Sequence, residues 1–173
     1  MSHVVSIKTE LTDLDAVKAV CQELGLIFRE GQKEYAWWGE TFGDYPLPEG
    51  FTAAQLGKCE HAISVPGTNW EIGLAKPSNV AAFHGKESSR FVPGTNRQVG
   101  LAKPATGEGY RLLFDFYGHR GKPILDAVGG KEASKFVQLY GVHKAMIECK
   151  KRGHIVRREV GRNGAINLVV TGM

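Results

Sequence analysis

Apolar and polar positions recur along this chain with two different periods, and the periods predict a mixed fold. Val4, Val5 and Ile7 surround polar Ser6, so residues 4–8 read as a short strand. Leu14, Val17, Val20, Cys21 and Leu24 then recur at helical spacing and form one apolar face. Thr12 or Asp13 is placed to cap that helix, Thr12 and Asp15 make a weak capping box, and Gly25 supplies a left-handed stop. A strand near residues 26–29 follows. Residues 31–57 have no clear period and carry Tyr35, Trp37, Trp38, Phe42, Tyr45 and Phe51. Two readings suit them: a long loop whose rings cover one side of a sheet, or an exposed aromatic binding surface. Strand patterns occur at 59–65, 70–75, 97–102 and 110–116, the last being the strongest candidate for a central strand. Residues 117–131 read as a loop.

A second helix is predicted over 131–152, with Phe136, Leu139, Tyr140, His143, Met146 and Ile147 in one stripe and Gly153 ending it. The chain closes as a hairpin. A two-residue Asn163-Gly164 turn would split its apolar residues between two faces. A five-residue loop over 161–165 pairs Val160 with Ile166 and Val156 with Val170, and the need for one buried face favours this register. The expected fold is α+β, an antiparallel sheet of about seven or eight strands with two helices packed on one face, in a single domain over 1–173.

The middle of the chain contains a near-exact duplicate. Val65-Pro66-Gly67-Thr68-Asn69-Trp70-Glu71-Ile72-Gly73-Leu74-Ala75-Lys76-Pro77 returns as Val92-Pro93-Gly94-Thr95-Asn96-Arg97-Gln98-Val99-Gly100-Leu101-Ala102-Lys103-Pro104. Only the residues at 70–72 and 97–99 differ. Each Pro-Gly suits a type II turn and each Lys-Pro ends a strand. In the strand itself, Trp70, Ile72 and Leu74 fall on one face and Gly73 on the other. Residues 65–104 therefore read as duplicated strand-turn units within the domain.

Composition narrows the function classes without choosing one. Hydrophobic residues make up 42% and charged residues 23%, which is ordinary for a globular chain, and the net charge of +4 permits an acidic partner without requiring one. Cys21, Cys59 and Cys149 are far apart, with no zinc-type spacing, so a reducing, cytoplasmic setting is expected. No signal peptide and no membrane span are expected from the hydropathy pattern.

Both ends of the chain resemble a known family. The opening Met1-Ser2-His3-Val4-Val5-Ser6-Ile7-Lys8-Thr9 with Asp13-Leu14-Asp15-Ala16-Val17-Lys18-Ala19-Val20-Cys21-Gln22-Glu23-Leu24-Gly25-Leu26 is one stretch. The other is Tyr140-Gly141-Val142-His143-Lys144-Ala145, continuing through Lys151-Arg152-Gly153-His154 to Asn163-Gly164-Ala165-Ile166-Asn167-Leu168-Val169-Val170. Together they look like the hypothetical chloroplast open reading frame 35 family, a domain of unknown function found in plastids, cyanobacteria, other bacteria and phages. The resemblance implies a small α+β protein that works beside a chaperone-like ATPase, and it carries over no catalytic residues. Members have one strand pair in the middle. By that pattern the second copy of the repeat holds the family position, and residues 65–91 are an addition that the fold would survive losing.

Candidate chemistry is sparse. Between residues 141 and 162 lie Lys144, Lys150, Lys151, Arg152, Arg157, Arg158 and Arg162, against only Glu148 and Glu159. This basic tail would contact phosphates of a nucleic acid or nucleotide, or else form a solvated helix end and a charged strand edge. Cys59 and His61, two apart on a strand, would share one face and make half of a metal site. Lys76 and Lys103 beside the paired Gly-Thr-Asn turns would make two anion cradles. Gly129-Gly130-Lys131 lacks the spacing of a P-loop. No serine or cysteine stands in a nucleophile context, so no catalytic residue and no cofactor is assigned. The leading expectation is a non-catalytic binding or adaptor protein acting through protein partners. A nucleic-acid accessory comes next, then a metal-dependent enzyme.

Overall fold

The computed structural model describes residues 3–40, 45–77, 109–161 and 165–172. Strand β1 (Val4–Ser6) leads through residues 7–13 to helix α1 (Leu14–Leu24) and strand β2 (Ile27–Arg29). A long connection, with one short 3-10 turn at Ala53–Gln55, reaches β3 (His61–Ser64) and β4 (Glu71–Ala75). Strand β5 (Arg111–Asp115) is followed by helices α2 (Gly118–Val128) and α3 (Ser134–Lys151), then by β6 (Ile155–Val160) and β7 (Ile166–Thr171).

Strands β1 to β5 form one antiparallel sheet in the order β1-β5-β4-β3-β2, and β6 and β7 form a separate two-stranded sheet. The single sheet of seven or eight strands is therefore corrected: the hairpin does not join the five-stranded sheet but packs beside the helices. The expected strand at 97–102 lies outside the described residues.

The second correction is α2, which occupies the segment expected to be a loop. Gly118, Gly121 and the internal Pro123 argue against a helix locally, since Pro123 has no N–H to give the preceding turn. Burial overrides this. Ile124 and Val128 are fully buried in the core, and a Cβ on Gly121 would lie 2.3 Å from the Phe116 backbone. Glycine is thus what lets α2 close onto the end of β5. Gly129, at φ 91°, stops α2 in the left-handed region, and the Ser134 hydroxyl donates to the Gly129 carbonyl at 2.8 Å as α3 begins.

The expected α1 is present and Asp13 is its N-cap; the Thr12–Asp15 capping box is corrected, because the Thr12 hydroxyl instead accepts from Lys144 Nζ at 2.6 Å. The Asp13 carboxylate accepts from Ala16 N at 3.0 Å, and Gly25 stops the helix at φ 68°. The Tyr140 hydroxyl of α3 accepts from Thr12 N at 2.8 Å and Asp13 N at 3.1 Å, which ties α3 to the start of α1.

The sheet is covered on both faces. Ile63, Ile72, Leu74, Leu112 and Phe114 meet Val17, Val20, Ile124, Val128 and Phe136 from the three helices. On the opposite face, Val4, Ala62, Ala75 and Leu113 meet Tyr35, Phe51, Leu56 and Cys59, with Trp37 packed against them. The aromatic segment 31–57 thus covers one side of the sheet through these residues. Gly73 lies on that face, as its period requires. A Cβ there would sit 2.3 Å from the Tyr35 ring, so the absence of a side chain gives the ring its seat.

The first copy of the repeat supplies β4, paired with β3 on one side and β5 on the other. Its Ile72 and Leu74 are fully buried. Residues 65–91, which the fold was expected to survive losing, thus include the strand between β3 and β5, while the second copy, which would follow Ser64 in such a deletion, lies outside the described residues.

Candidate interaction surface

The residues that distinguish the first copy of the repeat also shape the surface beside it. The Glu71 carboxylate reaches the aromatic segment: Oε2 accepts from Gln32 Nε2 at 2.7 Å and Ala36 N at 3.1 Å, and Oε1 accepts from Ser64 Oγ at 2.8 Å. Glu71 N donates in turn to the Ala36 carbonyl at 2.8 Å. These bonds bring residues 35–38 alongside the start of β4. Tyr35 goes down onto Gly73 and Trp37 covers Gly57, while Trp38 turns outward and stays 49% exposed. Trp70 lies next to it, only 4% exposed, and its backbone N–H donates to Thr68 Oγ1 at 3.1 Å.

The facing wall comes from the junction of β5 and α2. Asp115, fully buried at the end of β5, uses Oδ1 to accept from both His3 N and Tyr117 N at 3.0 Å. One carboxylate oxygen thereby fixes where β1 begins and where α2 begins. Gly118, at φ 65°, makes the turn, and Tyr117 projects with 37% of its surface exposed. Trp38, Trp70, Tyr117, Gly118, His119 and Arg120 together line a cleft of about 200 Å³. Its walls are aromatic, and its rim carries an imidazole and a guanidinium. A ring cluster continues from it, with His3 to Tyr117 at 4.7 Å, His3 to Tyr45 at 4.9 Å and Tyr45 to Phe116 at 5.4 Å between centroids. Lys131 Nζ stands 4.2 Å from the Phe116 centroid. Such a cleft suits a flat or branched apolar side chain with an acidic neighbour.

The residues singled out from sequence are dispersed. Lys150, Lys151 and Arg152 are exposed at the end of α3, where Lys151 pairs with Glu148 at 3.4 Å. Arg157 is exposed and pairs with Glu159 at 2.9 Å. Arg158 turns the other way: its Nη1 donates to both carboxylate oxygens of Glu23 on α1 at 2.9 Å, and His143 of α3 meets the same carboxylate at 2.8 Å. Burial pushes the Glu23 carboxyl up, but the hydrogen bonds and charges of Arg158 and His143 outweigh it and hold the group below its ordinary value. Arg158 is therefore a clasp between the hairpin and the helices rather than a member of an open basic patch. Arg162 and Lys103 lie outside the described residues. Lys76 pairs with Glu60 at 4.0 Å and stands 5.1 Å from the Tyr110 ring centroid.

Cys59 and His61 do not share a face. Cys59 precedes β3 and packs with Tyr35 and Ala62, its thiol donating to the Gln32 carbonyl at 3.2 Å. His61 stacks on Phe28 and meets Tyr110 edge-on, accepting at Nδ1 from Gly31 N at 3.0 Å. Burial pushes the Cys59 thiol up to about 12, and the Cys21 thiol likewise to about 12, so neither is a thiolate at neutral pH. No group of three or more potential metal ligands occurs among the described residues.

The sequence pattern does not single out Asp115, Tyr117 and Arg120, and points to His119 only as a further ligand beside Cys59 and His61. The available signal was Asp115 itself, a carboxylate at the apolar end of the strongest strand. A charge in such a place needs backbone donors, and those donors mark a junction. No helix among the described residues is long and apolar enough to cross a membrane. Comparison with protein families, with curated proteins and with solved structures found no match to this chain.

Proposed function

We propose that this chain is a non-catalytic binding protein that acts through a protein partner and takes an apolar side chain of that partner into the Trp38–Trp70–Tyr117 cleft. The observation that carries this reading is Trp38, a large ring half exposed beside a second buried ring and a cationic rim. Exposed aromatics held by a rigid scaffold lose little conformational freedom on binding, which favours them as contact residues. The ion pairs of Lys151, Arg157 and Arg158 leave fewer cations for phosphates and make nucleic-acid binding the weaker reading.

The resemblance of both chain ends to the chloroplast open reading frame 35 family makes a chaperone-like ATPase the partner to try first. Titration of the full chain with such an ATPase from the same host, followed by calorimetry, tests the proposal. Saturable binding that weakens about tenfold or more in Trp38→Ala is the expected result. Binding that ignores Trp38→Ala but collapses with added salt would move the site to the basic tail. No binding at all would remove this partner.

A further inference from the structure

The edges that the two sheets leave unpaired among the described residues are protected very unequally. Strand β1 has three residues and runs into Lys8, and β2 has three residues and ends on Arg29. Strand β6 carries Arg157, Arg158 and Glu159. These are the ordinary devices that keep a strand edge from pairing with another chain. Strand β7 has none of them. Its six residues, Ile166-Asn167-Leu168-Val169-Val170-Thr171, include no charge, no proline and no glycine, and its pairing with β6 runs without a bulge.

The main-chain groups available on that edge follow from the hairpin ladder. Gly161 N donates to the Ala165 carbonyl at 2.7 Å, so this pair exchanges ladder bonds, as do alternate pairs beyond it: Glu159 with Asn167, Arg157 with Val169, and Ile155 with Thr171. Ile166, Leu168 and Val170 therefore direct their N–H and C=O away from β6. Among the described residues these groups make no hydrogen bond. The side chains around them are partly uncovered as well, with Val170 48% and Val169 39% exposed.

We infer that β7 pairs antiparallel with β7 of a second copy of this chain, making a four-stranded sheet in the order β6-β7-β7-β6 across a two-fold axis. The edge is self-complementary in one register. Leu168 faces Leu168 of the other copy on the axis, Ile166 faces Val170, and three residues per chain exchange main-chain bonds. On the outer face, Asn167 stands opposite Val169. No charged residue meets a like charge at the seam. The basic β6 strands fall at the outside, separated by three strand spacings, or about 14 Å. That exceeds the screening length of about 8 Å at physiological salt. Distribution of charge thus favours a second copy over a basic or acidic foreign strand. This seam is independent of the Trp38 cleft.

Sedimentation of the full chain at about 100 μM tests the pairing, a range that detects even a weak dimer. The expected particle has twice the 18.9 kDa chain mass. Val170→Lys puts a gatekeeper charge at an already exposed position and should weaken the dimer about tenfold or more while leaving the circular dichroism spectrum unchanged. Register is tested separately in a Cys149→Ser background. Asn167→Cys and Val169→Cys chains should form a disulfide when mixed and not when oxidised alone, because only the 167–169 pair comes within about 4.5 Å between Cα atoms. A monomeric wild-type chain would overturn the inference and leave the edge to a foreign strand. A dimer indifferent to Val170→Lys, or one whose mixed cysteine chains fail to cross-link, would overturn it equally.

Discussion

The five-stranded sheet and the β6–β7 hairpin are both antiparallel, yet only the first is covered on two faces. Phe114 and Ile72 in the sheet are completely buried, whereas Val160 in the hairpin is 68% exposed. The sheet is held by packing on both sides. The hairpin is held by the packing of Ile166 against the core and by one carboxylate, Glu23, which binds Arg158 of β6 and His143 of α3 together. Two strands alone are marginal in water, so the hairpin depends on that clasp and on its contact with the helices. The same pairing chemistry therefore serves as scaffold in one place and as a separable element in the other.

The strongest way to break this contrast is to cut the scaffold. Phe114→Ala should cost about 3–5 kcal/mol in urea unfolding, while Val160→Ala should change stability by less than about 0.5 kcal/mol. Similar losses at the two sites would mean that sheet and hairpin form one cooperative core. Next in size is Gly73→Ala, whose new methyl group would collide with the Tyr35 ring. A loss of about 1–3 kcal/mol is expected, and Tyr35→Leu in the same chain should recover part of it, giving a non-additive cycle by thermal melting. Strict additivity would show that the ring is not seated on Gly73.

These first two variants also mark what could be read from the sequence. The alternation of Trp70, Ile72 and Leu74 against Gly73 was legible because a strand has a fixed period, and so was the Val160–Ile166 and Val156–Val170 register, which the hairpin adopts. Asp13 and Gly25 announced α1 through local chemistry. What stayed hidden depended on distant partners. Helix α2 owes its existence to Gly121 lying against Phe116 and to Ile124 and Val128 meeting the other helices, and no local propensity reports that. The cleft was half visible, since the aromatic segment stood out. The role of Tyr117 and Arg120 needed Asp115 to join β1, β5 and α2. Arg158 read as part of a basic tail because its partner, Glu23, is 135 residues away.

Smaller effects sharpen the hairpin side of the contrast. Arg158→Ala should cost about 1 kcal/mol, read as faster amide exchange in β6 and β7 with the five-stranded sheet unchanged. Uniform acceleration across both sheets would deny the hairpin its independence. The smallest effect is that of pH on the same clasp. The Glu23 carboxyl is held below its ordinary 4.5, so its contribution is complete above that value and is lost as pH falls through the lower value of the folded state. Amide signals of Val156 and Val170 should therefore shift toward those of an undocked hairpin in acid, before the sheet unfolds. Simultaneous loss of both would indicate that other carboxylates control the transition.

The placement of Trp37, Trp38 and Trp70 gives the molecule a built-in optical reporter. All three tryptophans of the chain cluster where the aromatic segment meets β4, and none lies in the helices or the hairpin. Intrinsic emission therefore follows this one corner. An aqueous quencher reaches Trp38 and is shielded from Trp70 by the surrounding core, so occupation of the cleft dims the quenchable fraction alone. Undocking of the hairpin leaves the same spectrum untouched, and the two events can be followed separately in one unlabelled sample.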